Sequence, residues 1–600
     1  MQQEQKYSVG HKTVQQLLSS LEGKELAMPE IQRPFVWNGS KVRDLIDSLY
    51  KGFPVGYIVI SKSPNVRLKD GSLSIGQTMI IDGQQRITAL ATALLGWKVI
   101  DKDYSEKIIK IAFNPITMEF RVSDAATAKD KTFIPDISAL FNNSQPLSVF
   151  VKEYCMSNPG IDTFECLNII ESVKAIANRE IGLVELLRDL DMDSVTEIFN
   201  RINSQGVPLK EADFAMSKIA ANESRQGNLL RKCIDHFCEL VVRPEMYAKI
   251  SENDHEFANS PYLNKVSWLK TENDDIYDPS YEDMLRVILT FKFQRGKMGD
   301  LVQLLSGRNF TTRTNEQGII DDTYAKLTEG VNDFINETNF KNFVMVVSSA
   351  GFCRGKMIRS MGALNFAYSL YLYLRSVNYP SEKLQNYVRK WFVMSLLTGR
   401  YSGSAETRYE YDIKQIASRG IEDYLSEIER INLSEAFWTD KLVVDLRTSG
   451  TMNAAFNVFL AAQCKKGVRG FLSTDITVKD MIVNKGDIHH IFPRQYLVDK
   501  GLSRTLYNQV ANYAYVQTEI NIRIGKKSPD EYFAYVVNEQ CISGNTKYGG
   551  IINIDDLHLN MAENCIPDGL ETMNVKNYND FLEQRRILMA EAIKSYYTSL

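Results

Sequence analysis

Residues 78–96 read TMIIDGQQRITALATALLG. A short apolar run, TMII (78–81), stops at a polar turn built on one glycine, and the pattern then changes period. Ile87, Leu90, Ala91, Leu94 and Leu95 recur at i, i+3, i+4, i+7 and i+8, which is one apolar face of a helix. Strand, tight turn and helix in so few residues commit the segment to a mixed α/β layer. A sheet face and a helix stripe each need the other to leave water. YIVI (57–60) reads as a second strand and SKVRDLIDSLYKG (40–52) as a second helix, with Gly52 and Gly96 as the expected stops.

The chain is too long for one core, since 600 residues call for about two to four domains. Charged residues at 24% and hydrophobic ones at 44% place it with globular proteins, not disordered ones. A net charge of −4 gives no global basic signal for nucleic acid, although a local basic groove suffices. None of the eight cysteines forms CxxC or a zinc-finger quartet with histidine, so free thiols in a reducing cytoplasm are expected. The start has no apolar signal core and no run is long enough to span a bilayer. A soluble cytoplasmic protein without a membrane partner is expected.

Three regions follow. Residues 1–220 mix short strands and helices, and Ser194 with Glu197 makes a capping-box pair opening SVTEIFNRIN (194–203). Residues 221–445 are mostly helical, with aromatics at core spacing as in ALNFAYSLYLYLRSV (363–377). There SENDHEFANSP (251–261) reads as an exposed loop with a solvated His255. Residues 446–600 open with the helix AAFNVFLAAQC (454–464). DIHHIF is a strand ended by Pro493, and NYAYVQ (512–517) a second strand. SPDEYFAYVV (528–537) is a helix with Ser528 as cap, Pro529 in the first turn and Glu531 three after the cap.

Two of the six histidines stand together at 489 and 490. Phosphodiester hydrolysis needs a base to take a proton from water and a cation to offset the charge growing on the phosphoryl and leaving oxygens. A neutral imidazole suits the first task near cellular pH. His490 is the candidate base, with His489 and Asp487 as candidate metal ligands. Asn521, 31 residues after His490, opens a helical stretch and offers an amide oxygen. Asn512, 22 residues after His490, is placed to tie the intervening loop to backbone groups. Neighbouring strand residues face opposite ways, so the pair must sit at a bent strand end to serve one site. Between Lys485 and Asp530 seven cations face four carboxylates, a local net of +3 in an acidic chain. Arg494, Arg523, Lys526 and Lys527 are the candidate DNA contacts, binding phosphates without reading sequence.

The pattern DIHHIFP, then Asn512, then Asn521 followed by IRIGKKSP, resembles the HNH or ββα-metal nuclease fold. The resemblance implies His489 and Asn521 as metal ligands and His490 as general base. It makes Asn512 the loop-stapling member of the catalytic set and Asp487 an outer or alternate ligand. Many members carry a carboxylate where this chain has His489. Mg²⁺ is the default ion, and imidazole better suits Mn²⁺, Ni²⁺ or Zn²⁺.

At the other end, PEIQRPFVW (29–37) precedes the DGQQR turn (82–86). A helix N-terminus with free N–H groups is a natural phosphate seat, Gly83 permits close approach, and Arg86 or Arg33 can clamp a phosphate. On the residues alone, a structural turn with Arg86 paired to Asp82 or Asp213 ranks ahead. QRPFVW followed by DGQQR, with EIFNRINSQGVPLKEADF (197–214), resembles the ParB-like, sulfiredoxin-fold domain of GmrSD-type restriction proteins and SspE-like defence nucleases. That resemblance implies nucleoside triphosphate binding, and hydrolysis, at Asp82, Gly83, Gln84, Gln85 and Arg86, with Gln32 and Arg33 nearby and Asn203 and Gly206 as weaker candidates. In GRYSGSAETR (399–408), Arg400 and Arg408 are expected to be solvated rather than bound to DNA.

The expected architecture is therefore α+β and multidomain: a ParB-like domain (1–220), a helical relay (221–445) and an HNH domain (446–600). The expected activity is metal-dependent cutting or nicking of DNA, modified phage DNA included, under control of a nucleoside triphosphate, with a homodimer helping double-strand cleavage. The alternative is a nucleotide-gated DNA-binding switch with an inactive HNH domain.

Overall fold

The computed structural model describes residues 6–23, 25–27, 37–61, 78–100, 106–142, 145–187, 210–272, 275–484, 486 and 488–600. Gln32, Arg33, Asp487, Asn203, Gly206 and the Ser194/Glu197 pair lie outside them. The chain divides into two compact units, Met1–Ala221 and Asn222–Leu600, with mixed α and β structure in both.

The first unit is built on a mixed five-stranded sheet. Its members are β1 (Tyr7–Thr13), β2 (Leu26–Ala27), β3 (Tyr57–Ser61), β4 (Thr78–Asp82) and β5 (Glu180–Leu186), in the order β1-β5-β3-β4-β2. β1 runs antiparallel to β5, β3 parallel to β5, β4 antiparallel to β3, and β2 parallel to β4. Three helices pack on the sheet: α1 (Val14–Glu22), α2 (Gly39–Tyr50) and α3 (Gln84–Leu95). Each contributes one apolar stripe: Val14, Leu17, Leu18 and Leu21; Val42, Leu45, Ile46 and Leu49; Ile87, Leu90, Ala91 and Leu94. All are buried with Ile58, Ile60 and Ile80 of the sheet. The sequence-predicted face of α3 is buried except for Leu95 at its end, which is half-buried. A bulge between Val59 and Ile60 brings Asp82 opposite Val59. Such irregularities re-aim strand ends beside sites.

The second unit is helical around aromatic side chains. Tyr277 stacks on Phe340 at 5.6 Å and Phe343 on Tyr368 at 4.6 Å. The predicted helix at 363–377 is α4 (Met361–Ser376), packed on α5 (Ser381–Thr398). The stretch 251–261 is not a loop. Two short helices, Met246–Asn253 and His255–Ala258, flank Asp254, whose carboxylate caps Phe257 N–H at 3.1 Å and takes Lys232 Nζ at 2.8 Å. His255 is exposed, as expected. Arg400 is not solvated. It is buried in a bidentate pair with Asp412 at 2.7 and 2.5 Å, and the Tyr401 and Tyr424 hydroxyls donate to the same carboxylate. A charge buried this deeply persists only when its partner and hydrogen bonds are complete. Arg408 is exposed.

Toward the C-terminus come α6 (Ala454–Lys466), β6 (Ile488–His490), β7 (Tyr513–Tyr515), α7 (Thr518–Ile524), α8 (Pro529–Tyr535) and the long α9 (Tyr578–Thr598). Ser528 holds the N-cap position of α8, but its hydroxyl turns to Asp530 instead of a backbone N–H. Among the described residues no helix is long and apolar enough to cross a membrane.

Candidate functional site

β6 and β7 form an antiparallel pair in which His489 faces Ala514 and His490 faces Tyr513. The loop between them spans residues 491–512, and α7 follows β7 directly. The result is strand, loop, strand, helix, with both histidines on the first strand and Asn521 in the middle of the helix. Asn512 is fully buried. Its Oδ1 accepts Phe492 N–H at 2.8 Å and its Nδ2 donates to Phe492 O at 3.1 Å. One side chain thus satisfies both backbone groups of a residue just past the histidines and fixes the chain before Pro493. Asn512 touches the loop backbone and makes no hydrogen bond to either imidazole, which matches a staple more than a reacting group.

The residue that touches the candidate base is Asn508, which sequence reasoning missed. Its Oδ1 lies 3.0 Å from His490 Nε2. With the amide oxygen facing the ring, Nε2–H donates and Nδ1 keeps its lone pair. Tyr513 holds the ring edge-on, with centroids 5.0 Å apart. The loop carrying Asn508 and Asn512 is gripped from α9. Tyr578 hydroxyl donates to Leu506 O and Tyr507 O at 3.1 and 3.2 Å, and Arg586 Nη2 donates to Gln509 Oε1 at 2.9 Å. Arg585, also buried, donates through Nη1 to Ala511 O and Tyr513 O at 2.8 and 2.7 Å, and through Nη2 to Asn564 O. Nothing local in the sequence marks the grip on this loop, because the loop and the α9 side chains that hold it lie more than 70 residues apart.

Electrostatics separate the two imidazoles. Burial drives His489 down to about 3, the neighbouring His490 adds to this, and a hydrogen bond donated by the ring to the Asn521 side chain opposes it. His489 is therefore neutral at cellular pH, the form that ligates metals. Its Nε2 is buried without a hydrogen-bond partner, as are Arg585 Nε and Arg586 Nε in the same unit; of the three, the imidazole nitrogen is the one whose lone pair can take a metal ion. His490 is also lowered, by burial first and by the Arg494 charge, while Asn508 pulls it back up. Among the described residues no three His, Cys, Asp or Glu side chains gather at one point, so the donors offered here are imidazole and amide. That set fits a divalent ion of intermediate hardness.

The candidate DNA contacts spread over the surface of this module. Arg494 is exposed with its guanidinium 5.7 Å from the Tyr507 ring, and Arg523 is exposed with Nη1 3.2 Å from Lys547 O. Lys526 is exposed and 3.8 Å from Asp499, whereas Lys527 is half-buried and bonded to Arg523 O at 3.2 Å.

In the first unit, Gly83 precedes α3 with φ +96°, and a Cβ there would stand 2.9 Å from Ile58 Cγ1. Only glycine meets both conditions. Gln84 is buried and its Nε2 has no hydrogen-bond partner. Gln85 is half-buried on the same first turn. Arg86 bends back over Gly56, donates to Tyr57 O and lies 3.5 Å from Asp82. Of the two carboxylates offered for it by the sequence, Asp82 is thus a partner. Asp213 accepts Lys210 N–H at 2.9 Å.

Residues 14–220 match the family model of the GmrSD restriction endonuclease N-terminal domain. An uncharacterized protein of Methanocaldococcus jannaschii is 21% identical over 95% of this chain and 96% of its own length, so the likeness runs through both units. Strands β2 to β5, the DGQQR turn and the three helices on the sheet lie within the matched span, and β1 precedes it. Over residues 14–220 the chain is thus similar to the N-terminal domain of the GmrSD restriction endonucleases.

Proposed function

We propose that the protein is a DNA endonuclease of a restriction system directed at foreign DNA, with an HNH catalytic module in the second unit. The observation that carries this reading is His489 Nε2, buried and unpartnered, on a strand–loop–strand–helix that also brings Asn521 to the ring. His489 and Asn521 hold the divalent cation, with Asp487 as a further or outer ligand. When bound, that cation offsets the negative charge that develops on the phosphate. His490 accepts the proton of the attacking water at Nδ1, because Asn508 occupies Nε2. Asn512 keeps the loop in register so that Asn508 and His490 meet. Arg494, Arg523, Lys526 and Lys527 supply contacts to the phosphate backbone. Imidazole in place of carboxylate favours Mn²⁺, Ni²⁺ or Zn²⁺ over Mg²⁺.

The first unit is read as the sensor, binding a nucleoside triphosphate at Asp82, Gly83, Gln84, Gln85 and Arg86, with Gln32 and Arg33 nearby. The orphaned Gln84 amide beside a glycine at a helix N-terminus supports this. A second reading has its own support: Arg86 is already engaged by Tyr57 and Asp82, which suits a structural turn in a nuclease that needs no nucleotide. Plasmid nicking in Mg²⁺ and in Mn²⁺, with and without each triphosphate and on modified and plain DNA, tests both. Wild-type protein is expected to nick and His490→Ala not to. Equal nicking by the two overturns the site. Nicking insensitive to every triphosphate selects the second reading.

A further inference from the structure

Away from the histidines, the second unit contains a close backbone contact that brings two thiols together. Gly351 lies against α6: a Cβ there would stand 2.0 Å from Ala461 O and 3.1 Å from Lys465 N, and its φ is +98°. Gly355 is as tight, 2.0 Å from Asp275 O by the same construction. Between these two glycines sits Cys353, and three residues beyond Ala461 sits Cys464. Both line one cavity of about 540 Å³ together with Arg354, Lys465 and Lys479. Cys464 is buried and Cys353 half-buried, with Cys353 Sγ 3.7 Å from Met357 Sδ.

We propose that Cys353 and Cys464 form a peroxide-reactive thiol pair that closes to a disulfide between the Gly351 segment and α6. The cavity admits a small hydroperoxide, and its three cations, of which Arg354 is paired with Asp275 at 3.3 Å, outnumber the one carboxylate on its wall and favour the thiolate. A hydrogen bond with Cys464, aided by the charges of Lys479 and Arg354, pulls Cys353 down to about 7, while Cys464 is held far up by the same bond and by burial. Cys353, the less buried of the two and next to Arg354 on the cavity wall, is the nucleophile, and the buried Cys464 is the resolving thiol. The Cys353 thiolate attacks one peroxide oxygen, the O–O bond breaks, and the leaving oxygen departs as water or alcohol after taking a proton. The sulfenic sulfur is then attacked by Cys464. The S–S bond forms, the S–O bond breaks, and the hydroxide leaves with the Cys464 proton as water. Two thiols lose two electrons and the peroxide gains them. Cys155 and Cys166 also interact in the first unit, but they do not line the cavity of Arg354, Lys465 and Lys479, which makes that pair an internal control.

The test uses the full chain and hydrogen peroxide at one to a few equivalents, followed by non-reducing digestion and peptide mass spectrometry. The expected product links the peptides carrying residues 353 and 464 and disappears with dithiothreitol. In Cys464→Ser, a dimedone adduct is expected at Cys353 and no link. Before oxidation, iodoacetamide at pH 7 should label Cys353 about 10-fold faster than Cys541, as expected for a thiol lowered by neighbouring cations against one raised by burial. A Cys155–Cys166 link formed as fast as the 353–464 link, or oxidation of Cys353 without any link, overturns the proposal. It stands independently of the nuclease reading.

Discussion

The two turns most strongly marked in the sequence, 82–86 and 488–521, differ in how they spend their polar groups. In the first, the only strong cation is turned inward: Arg86 goes to Tyr57 O and Asp82, and the one orphan is the neutral Gln84 amide. In the second, Asn512 is paired with Phe492 and the Arg585 Nη atoms with three carbonyls, while His489 Nε2, a nitrogen able to ligate a metal, is left buried and unpaired, as are Arg585 Nε and Arg586 Nε, which carry protons and cannot. A buried polar atom without a partner costs about 1–3 kcal/mol. A neutral amide is the cheaper group to strand, whereas an imidazole lowered to about 3 by its surroundings is strongly committed to the neutral state. The contrast teaches that an inward-paired cation explains the first turn as scaffold, and that the stranded imidazole nitrogen, a group with a lone pair for a metal, is where chemistry is to be tested in the second.

The largest effect that can break the comparison is at the base. His490→Ala should lower DNA nicking by at least about 100-fold, in line with general-base removal, with an unchanged circular dichroism spectrum. Arg86→Ala should leave nicking without nucleotide within about twofold, and an equal loss in both variants would erase the distinction. Next, His489→Ala should weaken Mn²⁺ binding by at least about 10-fold in calorimetry. Retained affinity would move the metal elsewhere.

Stability effects follow. Gly83→Ala must place a Cβ against Ile58 at φ +96°, and should destabilise the first unit by about 1–3 kcal/mol, read as an earlier calorimetric transition. Asn512→Ala should cost about the same, because Phe492 N–H and O both lose their partner inside the protein. If it instead removes nicking without lowering the melting temperature, Asn512 acts in the reaction and not as a staple.

The smallest effect is on pH dependence. Burial first, then Arg494, lowers the His490 pKa, so nicking should persist below the ordinary imidazole range and fall only as His490 protonates. Arg494→Gln removes a charge that disfavours the imidazolium, so the pKa rises and the acid limb shifts to higher pH. Asn508→Asp adds a carboxylate beside Nε2 and should shift it further the same way. An unmoved limb in both variants would mean that another group sets it.

Much of the local structure was legible because it is local. The spacing of Ile87, Leu90, Ala91 and Leu94 predicts α3, glycine at 83 and 96 marks its ends, and DIHHIF and NYAYVQ contain β6 and β7. The periodicities of helix and strand are written in neighbouring residues. The stretch 251–261 misled because its polarity suggests solvent, while Asp254 uses that polarity to cap a helix and bind Lys232. Arg400 misled for the same reason, since its charge is neutralised by Asp412 on another turn of chain.

By itself, then, the sequence determined which residues are strands, turns and helices near each motif, and which side chains have the chemistry of a base or a ligand. Only the tertiary structure decided which of them are satisfied. Asn508 reaches His490 because a loop folds back, and Arg585 reaches that loop from a helix more than 70 residues on. Likewise Cys353 and Cys464 come to line one cavity because Gly351 lets two backbones touch. Hydrogen bonding and burial depend on distance in space, and pairing between remote segments leaves no periodic trace along the chain.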